Sequence, residues 1–386
     1  MKKKDMKKIL VLGCGLVGGP IALDLSADNN FEVSIADIDG EKLQNIRTKD
    51  IKTIKADLSS QETVIGLLQD FDYAVNATPG FMGFNSLKSC ILSGTDTIDI
   101  AFYPENPADL NQLATEKNVR VICDIGLAPG MSNLLSGYAA SKLDTIENLK
   151  IFVGGLPKLR TQPWEYKAVF SPTDVIEEYT RTARVVENYE VVGKEPLTEI
   201  EHLEFDNIGT LEAFNSDGLR SLLWTIKAKN MYEKTLRYPG YAAKIKLLSE
   251  NGFFDTKKAD FNNASLSPLE MTSRILFDQW KLKKNEIDLT VMRIIAEGVK
   301  DGRKLRHSFE LYDEFDKETG IHSMARTTGY TASVALRMID RGLYTKAGIC
   351  FPEHLGSNKH IVDFMLNGLK DKNITYSIKT EEAGNF

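Results

Sequence analysis

The glycine run Gly13-Cys14-Gly15-Leu16-Val17-Gly18 constrains this chain more than any other stretch. It has GxGxxG spacing, it follows the apolar run Ile9–Leu12, and it leads into an amphipathic pattern over Gly19–Ala27. Strand, glycine turn and helix in that order make the phosphate-holding corner of a dinucleotide fold. Gly13 permits the tight turn, Gly15 lets a pyrophosphate approach the backbone, and Gly18 lets the helix pack on the sheet. The helix start, entered through Leu16 and Val17, then presents N–H groups and a dipole end that favour an anion. A glycine-rich turn in a cofactor-free α/β protein has the same local look. Asp37, 24 residues after Gly13 at the end of the second apolar run, separates the two readings. A carboxylate there accepts hydrogen bonds from the ribose hydroxyls and repels a 2′-phosphate, and no arginine stands beside it, so NAD is expected over NADP. Asp57 and Leu58, after the third strand, are expected near the adenine, although Asp57 equally suits a helix N-cap.

The fold class is α/β. Short runs rich in Ile and Val at Ile9–Leu12, Phe31–Ala36, Ile51–Lys55, Tyr73–Ala77, Thr95–Ile100 and Val119–Cys123 read as buried strands. Helical patterns at Gly19–Ala27, Ser59–Leu68 and Pro107–Lys117 alternate with them, which predicts a doubly wound parallel sheet over residues 1–125. Ligands of such sheets bind past the carboxyl ends of the strands. Ala77, Thr78 and Pro79 after the fourth strand and Ile125 after the sixth are therefore expected along the nicotinamide, and Ala101, Phe102 and Ala128 along the substrate. Ordinary turn chemistry would also account for the Pro and Gly of these loops.

After Gly130 the pattern changes. Helical Met131–Leu143 leads into strand-like Leu149–Gly154, and Asp288–Val299 and Lys304–Phe315 flank a Lys300-Asp301-Gly302-Arg303 hairpin turn. Residues 126–325 read as an α+β domain on a mostly antiparallel sheet. Residues 326–386, with helical patterns at His322–Arg341 and Asn358–Leu369 and a strand at Ile374–Lys379, read as a segment returning to the first domain.

The formal net charge of −6 gives no basic field for nucleic acid. No apolar run approaches the ~20 residues of a membrane span, and the basic start MKKKDMKK is followed by glycines too soon for a signal peptide. The four cysteines form no CxxC pair and the five histidines no metal-binding spacing, so a reduced, cytoplasmic setting and no metal are expected.

Six stretches point further. GLAPGMSNLLSGYAA (126–140), GGLP (154–157), YKAVFSPTDVIEEYTRTARVV (166–186), GTLEAFNSDGLRSLLWT (209–225), EKTLRYPGY (233–241) and SMARTTGYTAS (323–333) resemble the saccharopine dehydrogenase family, most nearly its lysine 6-dehydrogenase branch. The resemblance implies a Rossmann domain, a second α+β domain (residues 126–325) for substrate binding and dimerisation, a homodimer, and hydride transfer at an amine-bearing carbon. For that branch the implied reaction takes L-lysine and NAD⁺ to allysine, ammonia and NADH. Saccharopine reductases carry an aspartate where this chain has Ala128, which weakens saccharopine as substrate. Their RYxG-type arginine, a contact for substrate carboxylate, maps onto Arg237.

Oxidising an amine by hydride transfer requires a neutral amine, and therefore a base or a pKa-lowering pocket. Tyr166, Lys167, Glu178 and Tyr179 are the candidates, each set against an ordinary solvated or structural role. Arg237 is the first choice for the α-carboxylate, with a surface salt bridge as the other reading. Asp217 or Glu212 suits the α-ammonium, though Asp217 before Gly218 also suits a turn or cap. His322 and Arg326-Thr327-Thr328 stand open between site and structural roles, and Trp164 and Trp224 are expected to pack, with walling an aliphatic substrate stem as the other reading. Two other outcomes fit the same residues: a saccharopine or carboxynorspermidine dehydrogenase, and a non-catalytic NAD(H)-binding regulator.

Overall fold

A computed structural model describes residues 6–46, 50–168, 172–261, 264–283 and 286–384. The chain divides into two compact units, Met1–Tyr138 with Ala325–Ile374, and Ala139–Met324 with Thr375–Phe386.

The first unit begins with β1 (Lys7–Leu12), α1 (Gly18–Ser26), β2 (Phe31–Asp37), α2 (Gly40–Ile46), β3 (Ile51–Lys55), α3 (Gln61–Leu68) and β4 (Tyr73–Asn76). It continues through α4 (Gly80–Ser93), β5 (Asp96–Asp99), a 3₁₀ turn at Pro107–Leu110, α5 (Asn111–Glu116), β6 (Arg120–Ile122) and α6 (Met131–Ala140). Its sheet has the order β3-β2-β1-β4-β5-β6 and every pairing is parallel. The strand order reverses at β1/β4, the crevice where ligands of doubly wound sheets bind. The strands are short and apolar because both faces are covered: all four residues of β4 are buried, as are the last four of β1.

The second unit carries β7 (Thr145–Pro157), α7 (Pro172–Thr180), β8 (Ala183–Glu187), β9 (Glu190–Lys194), β10 (Glu201–Phe205), β11 (Gly209–Asn215), α8 (Leu222–Thr225), β12 (Ala228–Arg237) and α9 (Tyr241–Glu250). There follow β13 (Ala259–Phe261), β14 (Ala264–Leu266), α10 (Pro268–Trp280), β15 (Asp288–Lys300) and β16 (Arg303–Glu314). Ser171, expected to open a helix with Pro172, lies outside the described residues. The main sheet runs β10-β11-β12-β7-β15-β16 and is antiparallel except for β12 against β7. The hairpin at Asp301-Gly302 has positive φ at both turn residues (49° and 76°), the twist that suits right-handed strands. Ser267 and Glu270 close a reciprocal capping box at the start of α10.

The tail is shared. After α11 (Ser323–Asp340), β17 (Gly348–Cys350) adds a seventh parallel strand beside β6, followed by α12 (Pro352–Gly356) and α13 (Lys359–Lys370). The last strand, β18 (Tyr376–Glu382), pairs instead with β16. The return to the first unit thus ends at Ile374, earlier than expected, and loop 126–130 with most of α6 belongs to the first unit. Among the described residues no helix is long and apolar enough to cross a membrane, and no His/Cys/Asp/Glu group could hold a metal ion. All four cysteines are buried and free.

Candidate active site

In the first unit, steric demands shape the glycine corner. Gly13 has φ +103°, and a Cβ there would lie 2.5 Å from the carbonyl oxygen of Ala77. At Gly18 a Cβ would lie 2.0 Å from the carbonyl oxygen of Gly13, so α1 can start against the turn only with glycine. Gly15 is different: a Cβ there meets nothing within 4 Å. Its absent side chain leaves room for something outside the protein. The N-cap of α1 is Val17, which has no side-chain acceptor, so no side chain competes for the first N–H groups of that helix.

Asp37 ends β2 beside this corner. Its carboxylate accepts from Cys14 N–H at 2.7 Å and Asp39 N–H at 2.8 Å, which ties it to the glycine turn. Ile38 next to it is exposed. Asp57 neither caps α3 nor is buried. It accepts from the backbone and hydroxyl of Ser59, and Ser60 is the cap. Leu58 packs in the core between β1 and α3. The corner therefore fits a dinucleotide: two glycines required by the protein, one by open space, an uncapped helix start and a fixed acid.

Past the strand ends lies a polar hub that the pattern of strands did not reveal. Asp99, fully buried at the end of β5, accepts from Asn76 Nδ2 at 2.9 Å, from Ala101 N–H at 3.1 Å and from Tyr103 Oη at 2.6 Å. Asn76 also donates to the carbonyl of Gly83, Thr78 donates to Asn76 Oδ1, and Ile125 N–H donates to the carbonyl of Asp99. The Asp99 carboxyl thus joins the end of β4 to the loop after β5, and its backbone carbonyl holds the loop after β6. Burial pushes the carboxyl's pKa up to about 7, aided by nearby Asp124. Ala101 itself turns inward: its methyl sits in a core with Tyr103, against Gly83. That corrects its expected place along the substrate to a packing role. Pro79 is exposed at the start of α4, and Ala77, Phe102 and Ala128 are half-buried.

In the second unit the predicted residues separate. Arg237, at the end of β12, is only 2% exposed. Its guanidinium donates to Glu178 at 3.0 Å, to Tyr179 Oη at 3.3 Å and to the carbonyl of Leu236, and it lies 4.5 Å over the ring of Tyr166. It is therefore no surface salt bridge. Tyr166, Tyr179, Tyr241 and Trp280 form one aromatic wall around it. Arg237 Nε, Tyr166 Oη and Trp280 Nε1 have no hydrogen-bond partner among the described residues. Burial raises the Tyr166 and Tyr179 hydroxyls above an ordinary phenol, so both stay protonated and neither acts as a base near neutral pH.

The other candidates are engaged elsewhere. Lys167 donates to the carbonyl of Gln279 and lies 3.6 Å from Glu286, by the end of α10. Glu212 caps α9, accepting from Gly240 N–H and Ala242 N–H, and is corrected from substrate ligand to helix cap. Asp217 takes both nitrogens of the Arg184 fork at 2.9 Å. His322 meets buried Asp288, which also accepts the N–H groups of Ser323 and Met324. Arg326 donates to the carbonyl of Lys372. Trp164 packs on Trp280, whereas Trp224 is half exposed rather than buried.

Residues 9–122 match the family model described as the saccharopine dehydrogenase NADP binding domain, and residues 126–374 that of the saccharopine dehydrogenase C-terminal domain. The chain belongs to the saccharopine dehydrogenase family. A relative named saccharopine dehydrogenase [NADP(+), L-glutamate-forming], from Saccharomyces cerevisiae, is 23% identical, covering 95% of this chain and 97% of its own length. The family also reaches a rat protein named alpha-aminoadipic semialdehyde synthase, mitochondrial, 27% identical over 64% of this chain. This chain spans 28% of that protein's length. The solved apo histidine-tagged saccharopine dehydrogenase (L-Glu forming) from Saccharomyces cerevisiae has the same fold, with a TM-score of 0.81 at 20% identity, covering 97% of this chain and all of that one. The glycine corner of the first unit thus lies in the stretch that the NADP binding domain model matches.

Proposed function

We propose that this chain is a dehydrogenase that uses NAD(H) and oxidises the side-chain amine of L-lysine or a close analogue to the aldehyde. The observation that carries the cofactor choice is Asp37, held by two backbone N–H groups beside open Gly15. A 2′-hydroxyl is welcome to such a carboxylate and a 2′-phosphate is repelled. For the substrate, a buried guanidinium walled by aromatic rings supports an amino-acid carboxylate on an aliphatic stem. Ala128, where saccharopine reductases have aspartate, supports a smaller substrate than saccharopine. In this reading the unit of residues 1–138 and 325–374 carries the nucleotide, and the unit of residues 139–324 and 375–386 carries the substrate and a homodimer contact.

The bound nucleotide supplies the hydride acceptor. The chain's own task is to hold a neutral amine, RCH₂NH₂. Loss of hydride leaves RCH=NH₂⁺, and water converts that to RCHO and NH₄⁺. The loops after β4, β5 and β6, joined through Asp99, keep their backbone groups in fixed positions past the strand ends. Arg237, fixed by Glu178 and Tyr179, orients the substrate through its carboxylate.

A second reading is favoured by the yeast relative, which matches nearly end to end and bears NADP(+) and saccharopine in its name: oxidation of the secondary amine of saccharopine. Absorbance at ~340 nm with NAD⁺ or NADP⁺ and L-lysine, ornithine, 5-aminovalerate or saccharopine at alkaline pH decides. A rise with lysine and NAD⁺ supports the first reading, and a rise with saccharopine alone installs the second. Flat traces with nucleotide binding intact make the protein a non-catalytic NAD(H) sensor.

A further inference from the structure

Four residues before Arg237, on the same face of β12, stands Glu233. It is 6% exposed. Among the described residues no hydrogen bond or ion pair reaches its carboxyl, and the charged groups that act on it are both acids, Glu178 of α7 and Asp217 after β11. The nearby cations are engaged: Arg237 on Glu178, Arg184 of β8 on Asp217. The place is nevertheless shaped for this side chain. A Cβ at Gly218 would lie 1.1 Å from Glu233 Oε2, so the carboxyl rests on backbone that only glycine can supply. Between Glu233 and Arg237, Thr235 donates to Ser216 at 2.9 Å. Glu233, Thr235 and Arg237 therefore form a polar stripe on one face of β12: Glu233 and Thr235 meet the 216–218 loop, and the unpartnered Arg237 Nε lies at the far end, where the strand pairs with Glu212.

A buried carboxyl without a partner persists by keeping a proton or by receiving a cation. An amine substrate brings that cation. We propose that Glu233 receives the substrate's ammonium group on this stripe and takes its proton, making the neutral amine in place. In the step the N–H bond of RCH₂NH₃⁺ breaks and an O–H bond forms on Glu233, leaving RCH₂NH₂ and an uncharged carboxyl. This deepens the amine-dehydrogenase reading and rests on it. Burial, then Glu178 and Asp217, push the Glu233 carboxyl up to about 8, where a base for an amine is effective at alkaline pH.

The test uses the full chain and its Glu233→Gln variant. Each is saturated with NADH and titrated with L-lysine, then with saccharopine, by calorimetry at pH 7 in phosphate and in Tris. The buffer difference counts protons. Wild type is expected to release close to one proton per amine bound and the variant none, with NADH affinity the same within about twofold. With NAD⁺, kcat/KM of the wild type is expected to rise through about pH 8. The variant should be lowered about 10²–10⁴-fold and lose that rise. Gly218→Ala, which displaces the carboxyl, should behave like Glu233→Gln, and it decides the matter if the glutamine variant fails to bind NADH. Lysine oxidation by both variants with the wild-type pH profile, or equal proton release, overturns the role of Glu233 and leaves the substrate reading standing. Turnover of saccharopine but not lysine removes the substrate reading, and Glu233 is then judged on the saccharopine traces. A wild type that binds neither amine overturns both.

Discussion

Changing Asp37 to Asn tests the cofactor side at one atom. The carboxylate accepts two backbone N–H groups, Cys14 at 2.7 Å and Asp39 at 2.8 Å. Its remaining lone pairs are left for the ribose hydroxyls. The near-isosteric amide keeps one acceptor oxygen and points an NH₂ at a backbone N–H, so one loop bond and one ribose bond are lost. A hydrogen bond to a charged group contributes about 1.5–3 kcal/mol. At ~1.4 kcal/mol per tenfold, NADH should bind the variant roughly 10- to 150-fold more weakly. The wild type should disfavour NADPH at least about fivefold, because a unit charge pair ~4 Å apart repels by about 1–4 kcal/mol between aqueous and near-surface screening. That preference should collapse in the variant, which has no charge to repel a phosphate. The loop bond alone is worth a melting shift of about 2–4 °C per kcal/mol in a unit of this size, so a thermal scan distinguishes a loosened loop from a lost fold. Fluorescence titration with NADH and NADPH gives both constants. A wild type that holds NADPH as tightly as NADH, or a variant whose NADH constant moves less than twofold, would refute the role of Asp37 and agree with the NADP(+) in the yeast relative's name.

Other outcomes follow from the same contacts. Gly15→Ala should melt like the wild type, since its Cβ meets no protein atom, yet lose NADH affinity; Gly18→Ala, 2.0 Å from the Gly13 carbonyl, should lose both, and equal melting points for the two would refute the distinction. Asp99 holds its proton up to about pH 7 in the fold, against about 4 in an unfolded chain, so its contribution is complete below pH ~4 and declines as pH rises through 7. Asp99→Asn, which can keep all three partners, should therefore gain on the wild type between pH 5 and 9, by no more than about 3 kcal/mol, and parallel urea midpoints at the two pH values would contradict this. Arg237→Met should raise the KM for L-lysine at least about tenfold for each charged bond lost while leaving NADH affinity unchanged, and equal effects on both would remove Arg237 from the substrate site.

The first unit was legible in the sequence because its constraints are local. All six short apolar runs became strands of one parallel sheet, and the glycine spacing became the corner it implied, because a turn, a helix start and a close approach involve residues within a few positions. What escaped was set by distance along the chain. Asp99 reads as an ordinary strand end until β4 and the loop after β5 bring Asn76 and Tyr103 onto it. In the second unit the strands from β8 to β12 carry charged residues and weak alternation, such as EHLEF in β10, so neither their number nor their register was readable. Trp224 is half exposed for a related reason: aromatic type alone does not fix how deeply a side chain is buried.

The acids of the second unit show why residue type alone could not sort site from scaffold. Glu212, Asp217, Glu178 and Glu233 have the same functional group and lie in the same stretches of the chain. Their roles differ by what reaches them: two N–H groups at a helix start for Glu212, an arginine fork for Asp217, Arg237 for Glu178, and for Glu233 only like charge. A satisfied carboxylate supports the fold and has little left for a ligand. Burying an unsatisfied one costs stability, and a protein retains such a group where it serves something else. The residue with fewest partners is thus the one most open to an incoming amine. It was also the hardest to see beforehand, because the absence of a partner is not written in any motif.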